Sequence, residues 1–245
     1  MRRIVLAAVA AIAVSTGTAG AADLGATRVA VPAAIAAPVF NWTGFYLGAH
    51  VGYGTGTANW TYLPGGATVS PRPAGIFGGG QIGYNWQINQ AVLGLEADVS
   101  AAGFRSSRAC PGAGFTCESR TDFLATFRAR AGFAVDRALI YATGGLAVGS
   151  LKNRTFDTAT GALFGTFNQT RVGFAIGAGL EYAVAQNWTV KAEYLYVNFG
   201  AGTQAPGATA LSRTSDVRIR TDVHTVKIGL NYLFATGRSA VVARY

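Results

Sequence analysis

The chain has 245 residues, half of them hydrophobic and only 13% charged, with 33 glycines and a net charge of +9. So few charges are unusual for a soluble domain, where about 25% of residues are charged. Past the N-terminus no apolar run free of glycine and charge reaches the roughly 20 residues of a spanning helix, which excludes a helical membrane protein.

Residues 1–21 read as a secretory signal peptide: Arg2 and Arg3 form a basic start, Ile4 to Val14 an apolar stretch, and Ala19-Gly20-Ala21 a small-residue cleavage site. Basic charge on an exported chain points to an anionic surface rather than to nucleic acid. Residues 22–41 are rich in Ala, Pro and Val without periodicity, and form an extended periplasmic lead-in in which Pro32 and Pro38 discourage pairing.

Eight segments of strand-like alternation follow, near 42–54, 75–87, 91–102, 121–134, 138–150, 170–183, 188–199 and 221–234. Each is at least as long as the roughly 9 to 11 residues of a tilted strand that crosses a bilayer. Links between them alternate in length, short at Gln87 to Gln90, Val135 to Arg137 and Ala183 to Asn187, and long near 55–74, 103–120, 151–169 and 200–220. That alternation predicts an all-β fold over 42–234: an eight-stranded antiparallel transmembrane β-barrel with short periplasmic turns and long extracellular loops. Residues 235–245 form a C-terminal extension.

The two faces of each segment differ in kind. In the first, Phe45, Leu47, Ala49, Val51 and Tyr53 alternate with Tyr46, Gly48, His50 and Gly52. Later segments set an apolar face against one with sparse charges of both signs: Glu96, Asp98, Glu181 and Glu193 with Arg128, Arg130, Arg171, Lys191 and Lys227. A face in bulk water would be crowded with charge, whereas a confined lumen requires opposite charges to pair. An eight-stranded barrel is just wide enough for its side chains to fill it. The charged set is therefore expected to form a polar network inside, with glycines leaving room for aromatic and arginine side chains.

Aromatics collect near the segment ends, with Trp42, Tyr84, Trp86, Phe133, Tyr182, Trp188, Tyr232 and Phe234 on the short-turn side. Tyr53, Phe104, Phe123, Tyr196 and Phe199 sit on the other. Two interfacial girdles are the reading, although strands favour aromatics anyway. The long links carry Arg72, Arg105, Arg108, Arg120, Lys152, Arg154, Arg213, Arg218 and Arg220 against Glu118, Asp157 and Asp216. Arg105, Arg108, Arg120, Arg218 and Arg220 are candidates for contact with lipopolysaccharide phosphates, and solvated loop charge is the equal alternative. Outer-membrane lipids are the other expected partner, and the barrel is expected as a monomer.

Cys110 and Cys117 share one long link and are expected to form a disulfide in an oxidising compartment. A metal site there would have only Glu118 nearby, so no metal and no cofactor is expected. His50 falls on the inward set and His224 on the outward set. Lipid A deacylase barrels use a His-x-Ser pair, which "HTV" at His224, Thr225 and Val226 lacks, so no catalytic residue is assigned.

The segments "FNWTGFYLGAHVGYG", "GGGQIGYNWQ", "VLGLEADVS", "FLATFRARAGFAVDRALIYATGGLAVG", "GFAIGAGLEYAVAQNWTVKAEYLYVNFG" and "HTVKIGLNYLF" resemble the small outer-membrane barrel proteins of alphaproteobacteria, an opacity-like porin family. The resemblance implies an outer-membrane location and a structural or surface role, with haemin binding in some members but no motif to place its ligands here. It also implies that the chain ends at its last aromatic strand, whereas here "ATGRSAVVARY" follows Phe234. The expected function is non-enzymatic: envelope integrity and display of long loops. A narrow porin-like diffusion channel, a surface ligand binder and a lipid A modifying enzyme are the alternatives.

Overall fold

The computed structural model describes residues 40–62, 66, 68–110, 114–204 and 217–235. The expected leader, nearly all of the lead-in and of the C-terminal extension, and Arg213 and Asp216 lie outside them. Within the described residues the strands are β1 (Gly44–Tyr62), β2 (Thr68–Val69), β3 (Ala74–Ile88), β4 (Ala91–Ala109), β5 (Phe115–Val135), β6 (Ala138–Asp157), β7 (Leu163–Ala183), β8 (Trp188–Gln204) and β9 (Val217–Ala235). Each long strand pairs antiparallel with the next, and β9 returns to β1 from Gly44↔Ala235 to Tyr62↔Val217. The sheet is thus an eight-stranded barrel, with the two-residue β2 folded back on the end of β1.

Closure follows from the side-chain period of two. Val51 is 61% exposed while its neighbour His50 is 6% exposed. The same division holds round the ring: Leu47, Leu93, Phe127, Ile140, Phe174 and Ile228 stand outward, and Glu96, Arg128, Lys191 and Lys227 are buried. A slip of one residue in any pair would exchange the two sets, so the pattern fixes the register. Tight turns at one end set the pairing there. Asn89 (φ 56°) and Asp136 (φ 51°) take left-handed conformations that short polar side chains tolerate.

The strands run well past the expected boundaries at the other end. β5 begins at Phe115 rather than near 121, β6 continues to Asp157, and β9 begins at Val217. Pairing persists because inward positions stay buried beyond the apolar belt, as at Trp60, Ser119, Thr155 and Ile219. Their outward partners turn polar, so the hydrophobic period fades while the ladder does not. Arg105, Arg108, Arg120, Arg218 and Arg220, expected in loops, therefore lie on strands.

Three aromatics expected in the girdles are inside instead. Trp42, Phe104 and Phe199 are 0%, 1% and 4% exposed. Each keeps the inward parity of its strand: Trp42 with Tyr46 and His50, Phe104 with Glu96 and Ser100, and Phe199 with Lys191 and Glu193. The other expected girdle residues stand outward or partly outward, among them Trp86, Phe133, Trp188 and Phe234 at the tight-turn end.

Candidate functional site: a neutral ion network inside the barrel

Strands β4, β5, β7, β8 and β9 carry the inward charges because each places Glu, Asp, Arg or Lys at alternate positions facing the same interior. Arg128 is the hub. Its Nη2 lies 2.6 Å from Glu96 Oε1 and 2.9 Å from Asp98 Oδ2, and its Nη1 lies 2.9 Å from Glu193 Oε1. Its Nε donates to Thr126 Oγ1 at 2.8 Å, and that hydroxyl donates to Asp98 at 2.6 Å. Lys191 Nζ reaches both oxygens of Glu96, at 2.8 and 2.7 Å. Lys227 Nζ lies 3.1 Å from Glu193 and 3.3 Å from Asp98.

Arg130 and Glu181 sit nearer the tight-turn end. Arg130 Nη2 contacts Glu181 Oε2 at 2.6 Å, and its guanidinium lies 4.0 Å from the centre of the Tyr141 ring. Tyr46 donates to Glu96 at 2.7 Å and Tyr141 to Glu193 at 2.9 Å. Thr189 and Asn231 donate to Glu181 at 2.5 and 2.8 Å. Gln81 donates to Asn231 and meets His50 Nδ1 at 2.9 Å, while His50 Nε2 meets Ser100 at 2.8 Å. Gly83 and Gly179 make this possible: a methyl at either would strike the phenol of Tyr46 or Tyr141.

Four carboxylates thus meet four cations with no net charge, in a space where an unpaired ion is very unfavourable. The polar partners that alternation did not single out, such as Tyr46, Thr126, Thr189 and Asn231, share the inward parity of the charges. Parity alone could have found them. Arg171 is the exception among the nine expected members. It lies toward the opposite end, donates from Nε to Gln169 Oε1 (2.6 Å) and from Nη1 to the Ile219 carbonyl (3.2 Å), and pairs with no carboxylate among the described residues.

Apolar layers bound the network on both sides. Trp42, Val92, Leu139 and Ala183 pack at the tight-turn end with Phe40 against them. Phe77, Phe104, Leu124, Leu195, Val197 and Phe199 pack at the other. Farther along that end a third cluster joins Trp60 and Ile219 to the Cys110–Cys117 disulfide, which closes the β4–β5 hairpin. Asp157 holds the β6–β7 connection by accepting the amides of Thr160 and Ala159 and the Thr160 hydroxyl. The Thr160 amide, before the other contacts, keeps its carboxyl below the usual range.

The expected surface contacts separate into two outward groups. Arg105, Arg120 and Lys152 are in register across β4, β5 and β6, with Asp122 bridging Arg120 and Lys152. Arg218 and Arg220 stand on β9 beside Thr61 and Asn59. Arg108 is exposed in register with Cys117. His224 is also outward, 2.7 Å from the Tyr194 hydroxyl, whereas the hydroxyl of the next residue, Thr225, is buried inside and directed to the Leu195 carbonyl.

A closed antiparallel barrel with an apolar exterior belt and a charged, paired interior defines an integral membrane β-barrel. The outer membrane protein beta-barrel domain family matches residues 4–234, and the chain belongs to that family. The 31 kDa outer-membrane immunogenic protein of Brucella melitensis is 33% identical over 249 residues, covering 96% of this chain and 100% of that protein. The 22 kDa outer membrane protein of Rhizobium leguminosarum bv. viciae is 32% identical over 198 residues, 80% of each. Among solved structures, Ail, the attachment invasion locus protein of Yersinia pestis, aligns over 78% of this chain and 99% of its own at 13% identity and a TM-score of 0.37. The protein is thus an outer-membrane barrel, related to outer-membrane proteins of Brucella and Rhizobium.

Proposed function

We propose that this barrel is a non-conducting, non-enzymatic structural element of the outer membrane that displays its strand extensions at the cell surface. The observation that carries the reading is the interior: an ion network with its partners in direct contact, bounded by apolar layers led by Trp42 and Leu139 at one end and Phe104 and Phe199 at the other. A water path through it would have to break ion pairs whose members are desolvated on all sides, which is strongly unfavourable. Reconstitution of the refolded chain in planar bilayers should give no conductance steps under an applied voltage. Reproducible steps would overturn the reading in favour of a narrow channel.

The non-enzymatic reading rests on the position two residues after His224, where a His-x-Ser pair would need serine and this chain has the outward, apolar Val226. Each long strand has a neighbour on both sides in the closed ring of β1 and β3 to β9, so the reading includes a monomer. Surface display accords with relatives whose names describe them as immunogenic.

Lipopolysaccharide is the proposed neighbour of the extensions. Guanidinium and ammonium groups of Arg105, Arg120, Lys152, Arg218 and Arg220 lie just beyond the belt, where forked contacts can engage phosphate. Arg218→Glu with Arg220→Glu should lower the lipopolysaccharide phosphate that copurifies with the detergent-extracted barrel. An unchanged phosphate content would leave these arginines as solvated charge.

A further inference from the structure

Between the apolar layer of Phe104 and Phe199 and the disulfide cluster lies a cavity of about 20 Å3 inside the barrel. Such a volume admits a single occupant of roughly water size. Arg171 lines it and is 8% exposed, without a carboxylate partner among the described residues. Trp60 lines it from the disulfide side, and its indole Nε1 is buried with no hydrogen-bond partner among the described residues. Both are donors only. The rest of the polar lining is Ser119, Arg120, Thr121, Asn153, Gln169 and Thr221, with no acidic residue among the described residues, and Arg120 is already paired with Asp122.

The two side-chain amide oxygens of the lining are already engaged. Gln169 Oε1 takes the Arg171 Nε–H, and Asn153 Oδ1 takes the Ser119 hydroxyl. Thr121 and Thr221 can each turn a proton toward the cavity. A neutral water would leave the guanidinium charge uncompensated. An anion accepts from every donor present and cancels the buried charge. Space on the scale of one water favours a monatomic anion over sulfate or phosphate.

We propose that this cavity is a binding site for a monatomic halide, held by Arg171 and the Trp60 indole. The sequence builds the approach deliberately: Gly202 faces Arg171, and any side chain there would strike the guanidinium. The site joins β1, β5, β6, β7 and β9 beneath the disulfide, so the anion ties together the part of the barrel that extends beyond the belt. The inference is independent of the barrel's surface role and of its lipid contacts.

Bromide is the probe. Crystals of the full refolded chain grown in sodium bromide should show an anomalous peak in this cavity in contact with Arg171 and Trp60 Nε1. In detergent at constant ionic strength, bromide should quench Trp60 fluorescence saturably. Arg171→Gln should weaken that binding about tenfold or more, the worth of one charged hydrogen bond. Trp60→Phe should remove the saturable phase, and heat-modifiable migration on a gel would report that each variant still folds. A cavity holding only water or nothing in the wild-type crystal would overturn the proposal, as would purely linear quenching or a bromide unaffected by Arg171→Gln. Where a variant fails to fold, the wild-type crystal decides.

Discussion

Arg128→Leu is expected to destabilise the barrel by about 3–5 kcal/mol, the range for removing one member of a buried ion cluster. Arg128 touches three of the four interior carboxylates directly. Without it four carboxylates face three cations, and Thr126 and Thr143 lose the guanidinium that they face. Glu96 would keep Lys191, but Asp98 and Glu193 would have only the single ammonium of Lys227 to share. Chemical unfolding of the refolded protein in lipid vesicles measures the loss as a lower midpoint. The double variant Arg128→Leu with Glu193→Leu restores neutrality, and should recover part of that loss because the two residues are directly coupled. A single-variant loss below about 1 kcal/mol, the scale of a surface pair, would mean that the interior is hydrated enough to screen these charges.

The network also explains how far the sequence could be read. Side chains on a strand alternate strictly, so "ATFRARAGF" around Arg128 and "VKAEYLYV" around Glu193 declare which residues share a face. Sparse, balanced charge on that face then implies pairing, because nothing else makes an interior charge tolerable. What alternation cannot supply is height. Arg171 has inward parity like Arg128 and Arg130, yet it sits in the extended part of the barrel, on the far side of the Phe104 layer from any interior carboxylate. The aromatics show the converse: Phe104 and Phe199 lie at the height of an outer girdle, but parity turns them inward.

The extensions themselves were hidden for a different reason. Outside the bilayer both faces of a strand can be polar, so the apolar period that marks a spanning strand disappears while hydrogen bonding continues. Arg120 and Lys152 look like loop charge in sequence, and only pairing across β5 and β6 reveals them as cross-strand neighbours. Irregularities in the ladder, at Ala101/Phe104 and Thr121/Phe123, mark the level where the change occurs. There Asp122 is carried out to the surface between Arg120 and Lys152. No single-residue propensity announces such a bulge.

Leu230→Arg is expected to destabilise the barrel by about 2–4 kcal/mol, and the same change at Phe234 or His224 by only about 0–1 kcal/mol. All three residues point outward on β9, so the substitutions differ in depth and in little else. Leu230 is 45% exposed and pairs with Ala49 and Val190 in the middle of the belt. Phe234 lies at the tight-turn end against Tyr232 and Phe45. His224 lies at the other end, beside Tyr194 and Tyr196. An arginine at the centre must thin the bilayer or stretch toward a headgroup, whereas at either end its guanidinium reaches the interface without strain on the lipid. Water on this face would make all three substitutions nearly neutral. Folding free energies of the three variants in vesicles of one lipid composition therefore map the belt: a maximum at Leu230 locates its centre, and a flat profile would remove the lipid-facing assignment of β9.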